Sequence, residues 1–362
     1  MPIPQPKHAR NHLRVAWSVL AASALAGLVL SACSSSPAAR RSAATTSSSS
    51  TTTSTKPAPA IPTCPLTDTA IPGGGAVPAR PALAVKVDNY PDARPQSGLD
   101  KADVIFEEPV EGGITRYAAV FQCQEAALVG PVRSARNIDI GILGQLGNPL
   151  EAHVGGIDPV LANINASPVV NVDLGSYGSI LTHPAGRFAP YDTYSSTAQM
   201  WGTHPTMTAA PQPLFSFSAA PPAGSPVATV NINFSQTSNV TWKYNSTTGT
   251  FQRFYNGTTP DMLADGVQDQ ASNVIVQYVH ISYGPWLENS EGGLEVQADL
   301  YPNASGSSIV FRNGVEVAGT WHRSTLGSPT QFLDAAGAPI SLQPGQTWVE
   351  LVPDTITAAT TP

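Results

Sequence analysis

Apolar positions fall into distinct regimes along the chain. Residues 15–30 form a nearly continuous Ala/Leu-rich run, preceded by Lys7, Arg10 and Arg14. Residues 33–63 are Ser, Thr, Ala and Pro with almost no larger apolar side chain. Such a stretch cannot offset its ordering entropy by burial, which predicts a disordered stalk. From residue 82 onward, short apolar runs suited to strands alternate with short amphipathic ones suited to helices. Strands are predicted over 82–87, 104–108, 115–122, 127–132, 151–154 and 169–174. A helix is expected to open at Ser134, with Ile138, Ile142, Leu143 and Leu146 on its apolar face and Gly147 closing it. A second short helix covers 159–164. After residue 227 the period is two almost throughout, with strands expected near 227–234, 240–244, 250–255, 273–283, 294–300, 308–312, 315–322 and 347–351. Asn313-Gly314 lies between two of these runs and signals a two-residue type I′ hairpin, and Asn256-Gly257 marks another turn.

This pattern predicts an α+β protein. An α/β layer domain over 64–204 is followed by a Pro/Ala-rich linker over 205–227 and a mainly antiparallel β domain over 228–356.

The N-terminus changes the picture from a free protein to a tethered one. Residues 15–30 are short for a membrane span, and the positive flank makes residues 1–32 a signal peptide. Leu30-Ser31-Ala32-Cys33 reads as a lipobox, with Cys33 taking a diacylglyceryl group and further acyl chains such as palmitate. The alternative is an ordinary or uncleaved leader with a chance cysteine. The full chain carries net charge −7. Removal of residues 1–32 takes away three cations and no acids, leaving −10, so the mature surface has no basic field for nucleic acid or anionic lipid. The implied location is the outer face of a bacterial cell membrane. The expected partners are the membrane through Cys33 and a cell-wall polymer or envelope protein.

Two other cysteines remain, Cys64 and Cys123. In an exported chain they are a disulfide candidate; two separate buried thiols are the alternative. No metal-ligand spacing occurs, and there is no HExxH, GxSxG, phosphate-binding loop or dinucleotide fingerprint, so no cofactor is implied.

Several ordered runs carry a family likeness. They are Ala84-Val-Lys-Val-Asp-Asn-Tyr-Pro-Asp-Ala-Arg-Pro-Gln-Ser-Gly-Leu, Ala102-Asp-Val-Ile-Phe-Glu-Glu, Val110-Glu-Gly-Gly-Ile-Thr-Arg, Gly130-Pro-Val-Arg-Ser-Ala-Arg and His153-Val-Gly-Gly. Asn273-Val-Ile-Val-Gln, Gly319-Thr-Trp and Gly345-Gln-Thr-Trp-Val-Glu continue it. Over roughly residues 80–353 the chain resembles the YerB-type lipoproteins, whose two-part domain is called DUF3048. The resemblance implies a lipid-anchored protein with N- and C-terminal parts and no settled activity. Tyr191 stands where the resemblance would place a histidine.

Polar residues of the first half gather at strand ends, where ligands of α/β sheets collect. Candidate ligand-binding residues are Asp88, Asn89, Arg94, Arg116, Arg133, Ser134 and Arg136. A helix opening at Ser134 would aim its amides at an anion flanked by the guanidinium forks of Arg133 and Arg136. Alternatively these arginines pair internally with Glu107, Glu108 or Glu111. Glu107 or Glu111, with His153 as base, would allow glycan hydrolysis, although none has diagnostic spacing. Trp242, Tyr244, Phe251, Tyr255, Trp286, Trp321 and Trp348 suit either a core or a sugar-stacking face. The leading expectation is a non-catalytic envelope module that binds an anionic wall component or a protein partner. The alternatives are a glycan-modifying enzyme and a solute-binding lipoprotein, the latter disfavoured by the β-rich second half.

Overall fold

The structure, a computed structural model, describes residues 61–362 except Glu291. The leader, Cys33 and nearly all of the expected stalk lie outside the described residues.

Strands dominate. The first half contributes β1 (Leu83–Asp88), β2 (Val104–Pro109), β3 (Thr115–Phe121), β4 (Leu150–His153) and β5 (Val170–Asp173), with short helices α1 (Ile138–Leu143), α2 (Asp158–Asn165) and α3 (Thr197–Gly202). The second half adds β6 (Thr229–Asn233), β7 (Asn239–Asn245), β8 (Thr250–Tyr255), β9 (Asn273–Val279), β10 (Ile281–Leu287) and β11 (Leu294–Ala298). It continues with β12 (Ala304–Arg312), β13 (Val315–Arg323), β14 (Gln331–Asp334), β15 (Thr347–Pro353) and β16 (Ala359–Thr361). This is a mixed α+β protein with a β-rich C-terminal part.

One mixed sheet runs β14-β13-β12-β9-β15-β2-β3-β1-β4-β5. The last long strand, β15, lies between β9 and β2 and runs parallel to both. The stretches 64–204 and 228–356 therefore meet in a single sheet. Alternation along a sequence sets which residues face in, but not which distant strand becomes the neighbour. A smaller antiparallel sheet, β8-β7-β6-β16, packs on one face of the large one. Val85, Val87, Tyr117 and Trp348 meet Val230, Ile232, Trp242 and Phe251 there. On the opposite face Ala84, Phe106 and Val120 pack with Ile138, Ile142, Leu143 and Trp321. The buried Trp242, Phe251, Trp321 and Trp348 are thus core residues. Trp348 stands edge-on to both Tyr117 and Trp242, with ring centres 5.2 Å away in each case.

Local details follow from backbone chemistry. Arg312 pairs with Val315 across Asn313-Gly314, whose φ values are 52° and 70°, as a primed two-residue turn requires. A Cβ on Gly314 would also lie 2.5 Å from the Tyr244 ring. The expected strand over 127–132 makes only isolated bridges, at Val129, Gly130 and Val132; Pro131 has no amide to donate. The expected run 273–283 breaks after Val279 into β9 and β10.

Cys64 and Cys123 form a disulfide with Cα atoms 5.9 Å apart, tying the start of the described chain to the segment after β3. Among the described residues no helix is long and apolar enough to cross a membrane.

Candidate functional site

Strands β1, β4 and β5 are parallel, so Asp88, His153 and Asp173 end at one edge of the sheet. β3 runs the other way and begins there, which sets Arg116 opposite Asp88. Residues 130–136 cross the same edge: the Arg133 amide donates to the Lys86 carbonyl, and the Val154 amide donates to the Arg133 carbonyl.

The arginines at this edge have partners within the fold. Arg133 Nε donates to Asp88 Oδ2 at 2.7 Å; its side chain is 28% exposed. Arg136 grips Glu111 with a fork, Nε to Oε2 at 2.9 Å and Nη2 to Oε1. Glu288, just after β10, reaches Arg136 Nη1 at 3.3 Å. Arg116 is less well served: Nη1 donates to the Ser134 carbonyl at 3.2 Å, Nη2 stands 3.5 Å from Glu111, and Nε is buried with no partner. Burial opposes ionisation of Glu111, yet the Arg136 fork and the charges of Arg116 and Arg136 hold its carboxyl below the ordinary value. Burial, with Arg136 nearby, lowers Arg116 to about 10.

Ser134 does not open a helix. Helix α1 begins four residues later at Ile138 and is six residues long, and the Arg136 amide donates to Asp139 Oδ2 at 2.6 Å. A carboxylate from the chain thus occupies an amide that the expected helix would have turned toward a ligand, and the helix-terminus anion site is corrected on that ground.

Deeper along the same face lies a buried ionic cluster. The Lys86 ammonium donates to Glu108 and, at 2.7 Å, to Asp139 Oδ1, while Glu151 on β4 stands against Asp139. All four residues are fully buried. Burial, reinforced by the Asp139 charge, raises Glu108 to about 8 and lifts Glu151 well above its ordinary value. Burial also disfavours the Asp139 charge, but Lys86 holds its carboxyl below the ordinary value. Burial and the Asp139 charge thus favour the protonated forms of Glu108 and Glu151, while Lys86 favours the ionised form of Asp139. The sequence marks it faintly, as a lysine inside the apolar run of β1 and successive acids in β2.

Glu107 points to the other side of β2, as strand alternation requires. Its Oε1 accepts from Thr115 at 2.6 Å and Asn89 at 3.2 Å, and its Oε2 accepts from Arg253 Nη2 at 2.6 Å. Arg253, at an inward position of β8, also pairs with Asp261, and its guanidinium carbon lies 4.9 Å from the Trp348 ring. Asn89 Oδ1 accepts from Tyr255 at 3.1 Å and from Arg94 at 3.2 Å. Glu107 and Glu111 consequently do not share a cleft. His153 is fully buried, with Nδ1 2.9 Å from the Gly155 carbonyl and Nε2 2.8 Å from Asn171 Oδ1, so both ring nitrogens are engaged inside the fold.

The open part of the edge is aromatic and cationic. Tyr90 and Tyr191 stack with ring planes 5° apart and centres separated by 6.0 Å, and the Arg133 guanidinium carbon stands 6.0 Å from the Tyr191 ring. No group of metal-ligating side chains occurs among the described residues.

A single mixed sheet zipped by a C-terminal strand, with a polar edge held by internal arginine–carboxylate pairs, defines the class of protein. The chain belongs to the DUF3048 family: residues 66–209 match its N-terminal domain and residues 230–349 its C-terminal domain, each described as a protein of unknown function. The Bacillus subtilis (strain 168) protein named "Putative lipoprotein YerB" is 27% identical over 299 residues, which cover 77% of this chain and 83% of that protein. The crystal structure of the YerB protein from Bacillus subtilis superposes with a TM-score of 0.69 at 23% identity, covering 82% of this chain and 99% of the other. That likeness is one of fold.

Proposed function

We propose that this chain is an envelope lipoprotein tethered through Cys33, and that its folded part is a binding module for an anionic cell-wall polymer. The anchor reading rests on the charged leader, the apolar run and the Leu30-Ser31-Ala32-Cys33 box, and the name of the YerB relative agrees with it. One observation carries the binding reading. The carboxylates that a glycan hydrolase would use, Glu107 and Glu111, are bonded to Arg253 and Arg136 on opposite sides of β2, whereas Arg133 keeps part of its guanidinium at the surface beside Tyr191. Asp88 holds the Nε of Arg133, and the exposed part of the side chain beside the aromatic face is where an anion can add a further charge-assisted contact.

Co-sedimentation of the full chain with isolated cell-wall sacculi tests this. The wild type pellets with the wall, Arg133→Ala stays in solution with an unchanged melting temperature, and no glycan fragments appear. Wild-type protein that remains in solution overturns the reading. Released glycan fragments turn the assignment to an enzyme.

A further inference from the structure

Beside Tyr191 a cavity of about 730 Å³ opens between residues 92–95 and 184–191, with Ala264 at its margin. Arg94 and Arg187 both line it. Neither is neutralised by an ion pair among the described residues. Arg94 donates to Asn89 Oδ1 at 3.2 Å and to the Asn89 carbonyl at 2.8 Å, and its guanidinium lies 3.5 Å from the Tyr255 ring centre. Arg187 Nη1 donates to the carbonyls of Ala93 and Arg94 at 3.1 and 3.3 Å, and its Nη2 donates to the Pro95 carbonyl. Neutral oxygens and aromatic faces thus fix the direction of both guanidiniums while leaving their charge to be answered. Asp92 is the one acid in the lining. In a chain with 18 Lys and Arg against 25 Asp and Glu, two such cations in the lining of one hollow are unusual.

The walls add a second property. Phe188 is 78% exposed and borders the cavity together with Tyr191. Ala185, Gly186 and Ala189, all small, line the cavity with it. A large aromatic left in water contributes little to the fold, but a flat apolar face suits the C–H face of a sugar ring. The volume falls in the range of small-ligand sites, roughly 300–1,000 Å³.

We propose that this cavity binds an acidic saccharide, with a sugar ring against Phe188 and Tyr191 and its carboxylate or phosphate between Arg94 and Arg187. The inference rests on the reading of the protein as a binder of an anionic wall polymer, and names the unit of that polymer which the site recognises.

Calorimetric titration of the full chain with trigalacturonate, maltotriose and inorganic phosphate tests it. Trigalacturonate binds, whereas maltotriose, which lacks the acid, and phosphate, which lacks the ring, bind at least about tenfold more weakly, the scale of one lost charge-assisted or aromatic contact. Phe188→Ala weakens trigalacturonate about tenfold at an unchanged melting temperature, since the ring is exposed. Arg187→Gln abolishes binding; because it also gives up loop hydrogen bonds, its melting temperature is read alongside, and Phe188→Ala decides if that variant unfolds. Equal binding of phosphate and trigalacturonate, or a Phe188→Ala variant that binds like wild type, overturns the saccharide assignment. Failure of every probe while the chain still sediments with sacculi through Arg133 sinks this cavity and leaves the proposed function standing. Failure of both removes the two together.

Discussion

Glu107 on β2 and Glu350 on β15 stand in register on neighbouring parallel strands, one from each half of the chain. Both are fully buried. Glu107 is bonded to Arg253, and Glu350 accepts from Trp242 Nε1 at 2.8 Å. Burial and the facing Glu107 charge raise the Glu350 carboxyl well above its ordinary value, which favours its protonated form beside the Glu107–Arg253 pair. Arg253 is the cation around which the two sheets close. Its replacement by Met leaves Glu107 and Asp261 buried without their cation and is expected to cost about 3–5 kcal/mol. Urea unfolding of the variant measures this; a loss below about 1 kcal/mol would show that water or a neighbour satisfies the acids instead.

The buried acids set a pH dependence with a definite sign. Burial raises Asp103 to about 6, although the Cys123 and Gln122 amides oppose it, and burial with Asp139 raises Glu108 to about 8. Each binds its proton more tightly folded than unfolded, so its contribution is present below the ordinary carboxylate range and lost as pH rises through 6 and 8. The urea midpoint is expected to fall between about pH 4 and about pH 8, and Glu108→Gln to make that decline shallower. A midpoint that rises over this window contradicts the assignment.

Arg133 and Arg136 are separated by their surroundings despite being three residues apart. Arg133 is part-exposed with one ion-pair partner, so Arg133→Ala is expected to cost about 1 kcal/mol or less. Arg136 is buried in the forked pair with Glu111 and lies near Glu288, so Arg136→Ala is expected to cost about 3–5 kcal/mol. Equal losses for the two variants would contradict this division.

The Cys64–Cys123 disulfide closes a loop with a sequence separation of 59 residues. Replacing both cysteines by serine is expected to lower stability by about 4 kcal/mol through the freed unfolded chain. Unfolding of the oxidised wild type against the double variant reads it directly.

Several elements were legible from the residues. Asn313-Gly314 named its own turn because only residues tolerant of positive φ fit a primed hairpin. The strands β1, β2 and β3 fall within two residues of their expected bounds, since alternation of buried positions is a local property. The start of α1 was misplaced at Ser134 because a good capping residue competes with Asp139, which closes the turn from the far side. The partners of the edge arginines were legible only in part. Glu111 is one of the acids the sequence offers to Arg136, while Asp88 and Glu288 come from segments that no local pattern links to residues 133–136. Arg187, Tyr90 and Phe188 carry no site signal in the sequence, because an isolated aromatic or cation in a loop has no diagnostic spacing.

By itself the sequence determined what is local: strand-forming alternation in both halves, hairpin turns and a family likeness. The tertiary structure alone decided that β15 threads between β9 and β2, that Glu107 meets Glu350 and Arg253, and that Lys86 is sealed in with three acids. Strand period and turn chemistry depend on neighbours along the chain. The pairing of distant strands, and the protonation of the acids they bring together, depend on desolvation that exists only once the sheets have closed.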